Sequence, residues 1–156
     1  MTRRSDSPVD PHDPPRLQDT VRLSADGLAK ALGDLEVRVL EAVWALRAPA
    51  PARKVHERVA RSHSVALLTV ITVLNKLVEK GILLREKQED LLHYRARYAE
   101  PELRALVARR FVDGILSFGH EAIATSFVDA LAERDPDQLA ELERLVRRKL
   151  AEQEEP

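Results

Sequence analysis

The sequence predicts a mainly α-helical chain whose first ordered part combines three helices with a β-hairpin. Apolar residues recur at three- and four-residue spacing from residue 34 onward, which is typical of helices packed on a core. Gly81 follows the third such stretch, as glycine does at many helix ends. Two alternating segments separated by a polar turn come next. The 156 residues, 44% of them hydrophobic, suit one compact domain with an appended element.

The first two helices are predicted on either side of a proline-containing turn. The helix over 34–46 has one apolar stripe, formed by Leu35, Val39, Leu40, Val43, Trp44 and Leu46. Because Trp44 lies on this stripe, we expect it in the core rather than stacked on a ligand. Residues 48–51 predict a turn, and a short helix over 52–61 follows with Val55 and Val59 facing inward.

The third helix and the hairpin complete the predicted domain. The helix is expected from about residue 66 to 80, with Ser64 as its cap. Strands over 82–87 and 92–98 are separated by a turn at 88–90. The order of three helices and a hairpin is that of a winged helix-turn-helix domain, which presents its third helix outward.

Composition divides the chain into three regions. Residues 1–31 are polar and proline-rich, which predicts a disordered tail. Residues 32–99 form the predicted winged-helix domain, and 100–156 form a helical region in which Pro136 opens the last helix. This region has more large apolar residues than it can bury against itself, so we expect a homodimer formed through Leu106, Phe111, Ile115, Ile123, Phe127, Leu131, Leu142, Leu145 and Val146.

The charge distribution favours a nucleic-acid partner for the middle of the chain. The net charge of −1 combines +4 over residues 33–99 with −5 over residues 100–156. Ordinary fluctuation of composition is the alternative explanation.

The chain has no cysteine, so disulfides and thiolate metal sites are excluded. Neither a signal-peptide core nor an apolar run of about 18 residues is present, so we expect a cytoplasmic protein without membrane insertion.

The third helix is predicted to have two different faces. At about 100° per residue, one face packs on the first two helices through Leu67, Val70, Ile71, Leu74, Leu77 and Val78. The opposite face has hydroxyls, ammonium groups and a small apolar side chain, and it consists of Thr69, Thr72, Val73, Lys76 and Lys80. Such groups suit base edges and phosphates in a major groove. An ordinary solvent-exposed face is the alternative.

The hairpin gives mixed indications for DNA contact. Arg85 and Arg95 are expected to reach phosphates beside the groove, and the alternative is that the hairpin contacts no DNA. Glu89 and Asp90 at the tip would repel a phosphate backbone, so we do not expect the tip itself to enter a groove.

Three stretches together resemble the penicillinase and methicillin-resistance repressor family, which also includes copper-responsive repressors. They are residues 32–44, residues 69–85 and the strand Tyr94-Arg95-Ala96, and the resemblance extends over about residues 32–150. It implies a winged-helix domain, a homodimer formed by C-terminal helices, and repression of a resistance or stress operon through a palindromic double-stranded operator. It also implies that Thr69, Thr72 and Lys76 contact this DNA.

The chain departs from the family pattern in three places. The copper-responsive branch has a cysteine metal site, which a chain without cysteine cannot form. Staphylococcal-type members are cleaved between Asn and Phe in response to a membrane sensor protease, whereas the equivalent place here, near Gly119-His120, lacks the Asn-Phe pair. Leu67 and Leu68 replace polar residues usual in the family, so a different operator sequence is expected.

No catalytic residues, cofactor or metal site are predicted. The five histidines are scattered without a pair four residues apart, and neither a nucleophile elbow nor a phosphate-binding loop is present. An enzyme is therefore not expected. Two alternatives to a DNA-binding repressor are a winged-helix module that binds protein and a regulator that senses a metal or ligand.

Overall fold

The computed structural model describes residues 10, 12–16, 28 and 32–155. The described residues form, in chain order, α1 (Asp34–Leu46), β1 (Ala50–Pro51), α2 (Ala52–Ala60), α3 (Leu67–Glu79), β2 (Leu83–Gln88), β3 (Leu91–Ala96), α4 (Glu100–Leu116), α5 (His120–Arg134) and α6 (Pro136–Glu154). The predicted mainly helical fold, a winged helix followed by a helical region, is confirmed. The tail predicted to be disordered over 1–31 lies largely outside the described residues.

The chain divides between Arg109 and Arg110 into two compact units. In the first unit, α1, α2, α3 and the sheet enclose one aliphatic core. Leu28, which is 3% exposed, and Leu103, which is fully buried, also belong to this core. The core therefore includes residues from before α1 and from the start of α4.

Trp44 packs on this core, as its place on the apolar stripe predicts. It is half-buried and contacts the core cluster. Its indole Nε1 donates a hydrogen bond to the carbonyl oxygen of Tyr98 at 2.9 Å. The single polar group of the indole is thus satisfied, which allows the ring to lie against aliphatic side chains.

The ends of α3 are set by local backbone chemistry. At the C-terminus Gly81 has a φ of 77°, and the N–H groups of Gly81 and Ile82 donate to the carbonyl oxygens of Val78 and Leu77. These two bonds form a Schellman motif, which favours glycine because of the left-handed backbone. The expected cap at Ser64 is wrong: α3 begins at Leu67 without a side-chain cap.

The turn before α3 is held from α2 instead. The ring nitrogen Nε2 of His56 lies 2.7 Å from the carbonyl oxygen of Val65. A carbonyl only accepts, so Nε2 is the donor in this bond. This contact ties the chain two residues before α3 to α2, but it does not cap α3, because His56 donates to a carbonyl and satisfies none of the first N–H groups of the helix.

The sheet contains a strand that the sequence analysis missed. Residues 48–51 were predicted as a turn, but Ala50 and Pro51 pair with β3 opposite Tyr94 and His93. Two residues are too few to show an alternating pattern, and proline is unusual in strands except at edges. β1 lies at the edge of the sheet, in the order β1-β3-β2. The hairpin of β2 and β3 lies within two residues of its predicted bounds.

The hairpin turn is a strained feature that predicts a stabilising substitution. Glu89 and Asp90 form a two-residue loop with φ values of 49° and 63°. Because both residues have a left-handed backbone conformation, asparagine followed by glycine suits this turn better. Replacing them by Glu89→Asn and Asp90→Gly together is expected to raise the free energy of unfolding by about 1 kcal/mol. Urea unfolding measures this change.

The control is Gln88→Asn, which lies on β2 and leaves the turn unchanged. It should give no stabilisation. Equal stabilities of the double variant and the original chain would contradict the strain argument.

The second unit contains α5 and α6, which pack against each other. Pro136 lies in the first turn of α6, as predicted, and the side chain of Asp135 accepts a hydrogen bond from the backbone N–H of Gln138. Neither α5 nor α6 contains a buried residue. Within the described part of the chain, no helix is both long and apolar enough to cross a bilayer.

Candidate nucleic-acid interface

The exposed face of α3 brings together three of the predicted DNA contacts. Thr69, Thr72 and Lys76 are exposed, as is Leu68 one residue before the first of them. We call these four residues the α3 ridge. The opposite face of the helix is buried in the core through Val70, Val73, Leu74 and Leu77.

Val73 does not belong to the exposed face, so its predicted place there is wrong. Its side chain is 7% exposed and lies in the core cluster. It is three residues after Val70 and four before Leu77, and this spacing puts the three on one face of a helix.

Lys80 is also separate from the α3 ridge. Its Nζ donates to both carboxylate oxygens of Glu36 at 2.8 and 2.6 Å. The two side chains are 25% and 15% exposed. Lys80 is the C-terminal cap of α3, and its amine points to α1. Its positive charge is therefore committed to a partly buried ion pair that connects the two helices.

Asn75 links α3 to both strands of the hairpin. Its Oδ1 accepts hydrogen bonds from the hydroxyl of Tyr94 and from Nη1 of Arg85, each at 2.9 Å. Burial raises the pKa of the Tyr94 hydroxyl, and the positive charge of Arg85 partly opposes this increase. The network holds Arg85 beside α3. Asn75 is not among the residues expected to contact DNA, although it lies within the stretch that carries the family resemblance.

Arg95 lies elsewhere on the hairpin. Arg85 pairs with Tyr94 across the strands, whereas Arg95 pairs with Leu84. Since neighbouring residues of a strand point to opposite faces, the two arginines face opposite sides of the sheet. Arg95 lines a pocket of about 410 Å³ with Trp44 and Arg47. The structure therefore places Arg85, but not Arg95, next to the α3 ridge.

The Thr72 hydroxyl has a defined hydrogen-bonding role. Its Oγ1 donates to the carbonyl oxygen of Leu68, one turn earlier, at 3.0 Å. Because its proton is used within the helix, the oxygen remains available to a ligand as an acceptor. In this rotamer Thr72 suits a donor such as the amino group of adenine or cytosine.

Two cations that the sequence analysis missed lie in the first turn of α2. Arg53 and Lys54 are exposed and line a groove of about 820 Å³ with Leu67 and Ile71 of α3 and Leu91 of the hairpin. In helix-turn-helix proteins the helix before the recognition helix crosses the DNA backbone. The available signal was two adjacent basic residues, two and three positions after Pro51, the N-cap of α2.

The predicted dimerisation residues are spread over α4, α5 and α6. Five of them are half-buried, namely Phe111, Ile115, Ile123, Leu131 and Leu142. The other four are exposed, namely Leu106, Phe127, Leu145 and Val146. Between α5 and α6 lies an open groove of about 750 Å³, lined by Val128, Leu139, Leu142 and Val146 among others. The second unit thus leaves apolar surface uncovered.

Among the described residues, no group of three His, Asp or Glu is suited to hold a metal ion.

Comparison with known proteins identifies the family. The Penicillinase repressor family matches residues 32–148. The Transcriptional regulator BlaI of Mycobacterium tuberculosis is 32% identical over 127 residues, which cover 79% of this chain and 85% of that protein. The Methicillin resistance regulatory proteins MecI of Mammaliicoccus sciuri and Staphylococcus aureus are each 19% identical over 124 residues, which cover 80% of this chain and 99% of those proteins. The chain therefore belongs to the penicillinase repressor family of transcriptional repressors.

Proposed function

We propose that the chain is a sequence-specific DNA-binding repressor that acts in the cytoplasm as a homodimer on a palindromic operator of a resistance or stress-response operon. The observation that carries this proposal is the α3 ridge, which presents hydroxyls and an ammonium group on the third helix of a winged-helix domain. Repression follows when the bound dimer blocks access of the polymerase to the promoter.

Each side chain has a role that its geometry supports. Thr72 accepts a hydrogen bond from a base amino group, and Thr69 contacts the neighbouring base edge or phosphate. Lys76, one turn further along α3, binds a phosphate or a guanine. Arg85, held by Asn75, and Arg53 in the first turn of α2 bind phosphates on either side. Phosphate contacts fix the register, and base contacts give the specificity.

The second unit supports the homodimer. Large apolar residues of α5 and α6 remain exposed in a single chain, and burying them against a second copy removes this surface from water. A dimer presents two α3 ridges, which contact half-sites one or two helical turns apart. Because the two copies are linked, they bind far more tightly than one.

The mode of release is a prediction carried over from the family. A membrane sensor protease, or a protease downstream of it, would act near Gly119-His120, where the connection after α4 meets the first residue of α5, and would have to cut a bond other than the family's Asn-Phe bond. Phe118 and His120 are exposed there. A cut at this position separates α5 and α6 from the DNA-binding domain and so loosens the dimer.

Selection of DNA from a random library tests sequence-specific binding directly. The purified full chain is expected to enrich an inverted repeat, which we call the selected duplex. Its affinity should exceed that of an unrelated duplex of equal length by about a thousandfold or more. If no sequence is enriched, the chain is not a specific DNA-binding protein.

Lys76→Ala is expected to weaken binding to the selected and unrelated duplexes alike. Loss of one phosphate contact should lower the slope of log affinity against log salt by about one unit. Thr72→Ala is the comparison, because it should reduce the ratio between the two affinities and leave the salt slope unchanged. Fluorescence anisotropy over a series of salt concentrations measures both quantities. An unchanged salt slope for Lys76→Ala would show that Lys76 does not contact a phosphate of the DNA.

One observation favours a second candidate, a winged-helix module that binds protein. The hairpin tip combines the acidic residues Glu89 and Asp90 with Leu91 and Leu92, and all four are exposed. Acidic groups there repel DNA, whereas neighbouring apolar groups suit a protein surface. Failure of the selection experiment would favour this alternative.

A further inference from the structure

Leu68 has an exposure that the fold does not explain. It lies in the first turn of α3, and 74% of its surface is exposed. Its neighbour Leu67 is half-buried and lines the groove between α2 and the hairpin. A large aliphatic side chain in water gains nothing for the fold, so Leu68 is available for an external contact, and its place on the α3 ridge decides which contact that is.

The location of Leu68 places it with the proposed base contacts. It precedes Thr72 by four residues, so the two lie on successive turns of the same helix face. The hydrogen bond from the Thr72 hydroxyl to the Leu68 carbonyl joins these turns directly. In helix-turn-helix complexes the N-terminal residues of the recognition helix contact base edges. Leu68 therefore lies at the base-contacting end of the ridge, and Lys76 lies further along.

The chemistry of leucine restricts which base it can contact favourably. It has neither donor nor acceptor, and the 5-methyl group of thymine is the one apolar group that the four bases present in the major groove. Leucine against cytosine would instead cover the N4 amino group without offering an acceptor, which leaves a donor unpaired. Leu68 thus favours thymine by attraction and opposes cytosine by desolvation.

We propose that Leu68 is a specificity-determining residue that packs on the 5-methyl group of one thymine in each half-site. This rests on the proposed function, because it needs α3 to enter a major groove. The neighbouring hydroxyls and ammonium group on the ridge complement base edges and phosphates, and so favour DNA rather than an apolar protein surface as the partner of Leu68.

Replacement of thymine by deoxyuridine tests this contact, since it removes the methyl group and keeps the base pair. Each thymine of the selected duplex is replaced in turn, symmetrically in both half-sites, and the affinity of the full chain is measured by fluorescence anisotropy. At one thymine per half-site the original chain should lose about fourfold in affinity for each methyl removed. Replacement at the other thymines is the internal control and should have little effect.

Variants of Leu68 connect this loss to the residue. Leu68→Ala should bind the thymine and deoxyuridine duplexes with equal affinity at that position. Leu68→Met keeps an apolar side chain of similar size and should retain most of the preference. Because Leu68 is exposed, both variants should melt within a few degrees of the original chain, which circular dichroism verifies.

The outcomes separate this proposal from the proposed function. If a duplex is enriched but no thymine shows a loss that Leu68→Ala abolishes, the Leu68 contact is refuted while specific DNA binding stands. If Leu68→Ala changes the oligomeric state and leaves the affinity for DNA unchanged, Leu68 contacts protein and the proposal is again refuted. If no duplex is enriched, both the proposed function and the Leu68 contact are refuted.

Discussion

Phe127→Asp is expected to convert the dimer to a monomer and to weaken binding to the selected duplex by about a hundredfold or more. Phe127 lies on α5, is 55% exposed and has the exposed Val128 beside it. In the proposed dimer this ring is buried against the second copy. A carboxylate at the same place would have to leave water without a partner, at a cost of several kcal/mol.

Light scattering after gel filtration measures the oligomeric state, and fluorescence anisotropy measures the affinity for DNA. Thr125→Asp is the matched control, because it adds the same charge at an exposed position nearly opposite Phe127 on α5. It should stay dimeric and bind as the original chain does. A dimer that persists in Phe127→Asp would show that the subunits associate through another surface.

A negative charge at the adjacent positions 72 and 73 of α3 is expected to have different consequences, loss of DNA binding at Thr72 and loss of stability at Val73. Val73→Asp should strongly destabilise the first unit, because residue 73 is 7% exposed and an unpaired carboxylate would be buried in the core. The expected loss is about 4 kcal/mol or more, a large part of the roughly 5–15 kcal/mol that stabilises a typical domain. Thr72→Asp should leave the fold intact and abolish DNA binding, since its carboxylate faces the phosphates and base edges.

Urea unfolding followed by fluorescence of Trp44, the sole tryptophan, measures the stability of both variants. Burial raises the pKa of the carboxyl introduced by Val73→Asp, so the folded state binds a proton more readily than the unfolded state does. The stability of this variant should therefore rise as the pH falls from 7 toward 4. A Val73→Asp variant that is stable and loses only DNA binding would show that Val73 belongs to the exposed face.

Much of the fold follows from local patterns in the sequence. The helices of the first unit were predicted within about one residue, because an amphipathic period of 3.6 residues and terminating residues such as Gly81 are local signals. The two-residue strand β1 has no such signal, and its pairing with Tyr94 exists only in the folded chain. The Ser64 cap was wrong because α3 begins at Leu67, three residues after Ser64, with Ala66 at the N-cap position.

The candidate site was predicted less completely than the fold. Periodicity placed Thr69, Thr72 and Lys76 on one exposed face. Val73 was misplaced because a helical wheel gives angles, whereas burial depends on how neighbouring helices and strands cover each angle. The exposure of Leu68 is likewise a result of packing, since leucine alone predicts a buried position.

The sequence by itself determined the order of the helices and the hairpin, the family, and the outward position of Thr69, Thr72 and Lys76 on α3, because these depend on residue spacing along one helix or strand. Only the tertiary structure decided that Lys80 is paired with Glu36, that Arg85 is held by Asn75 and that Arg95 faces the other side of the sheet. The partners in each of these contacts are distant in sequence or depend on strand register. Hydrogen bonds and ion pairs act over a few ångströms, so they are specified only when the folded chain brings the two groups together.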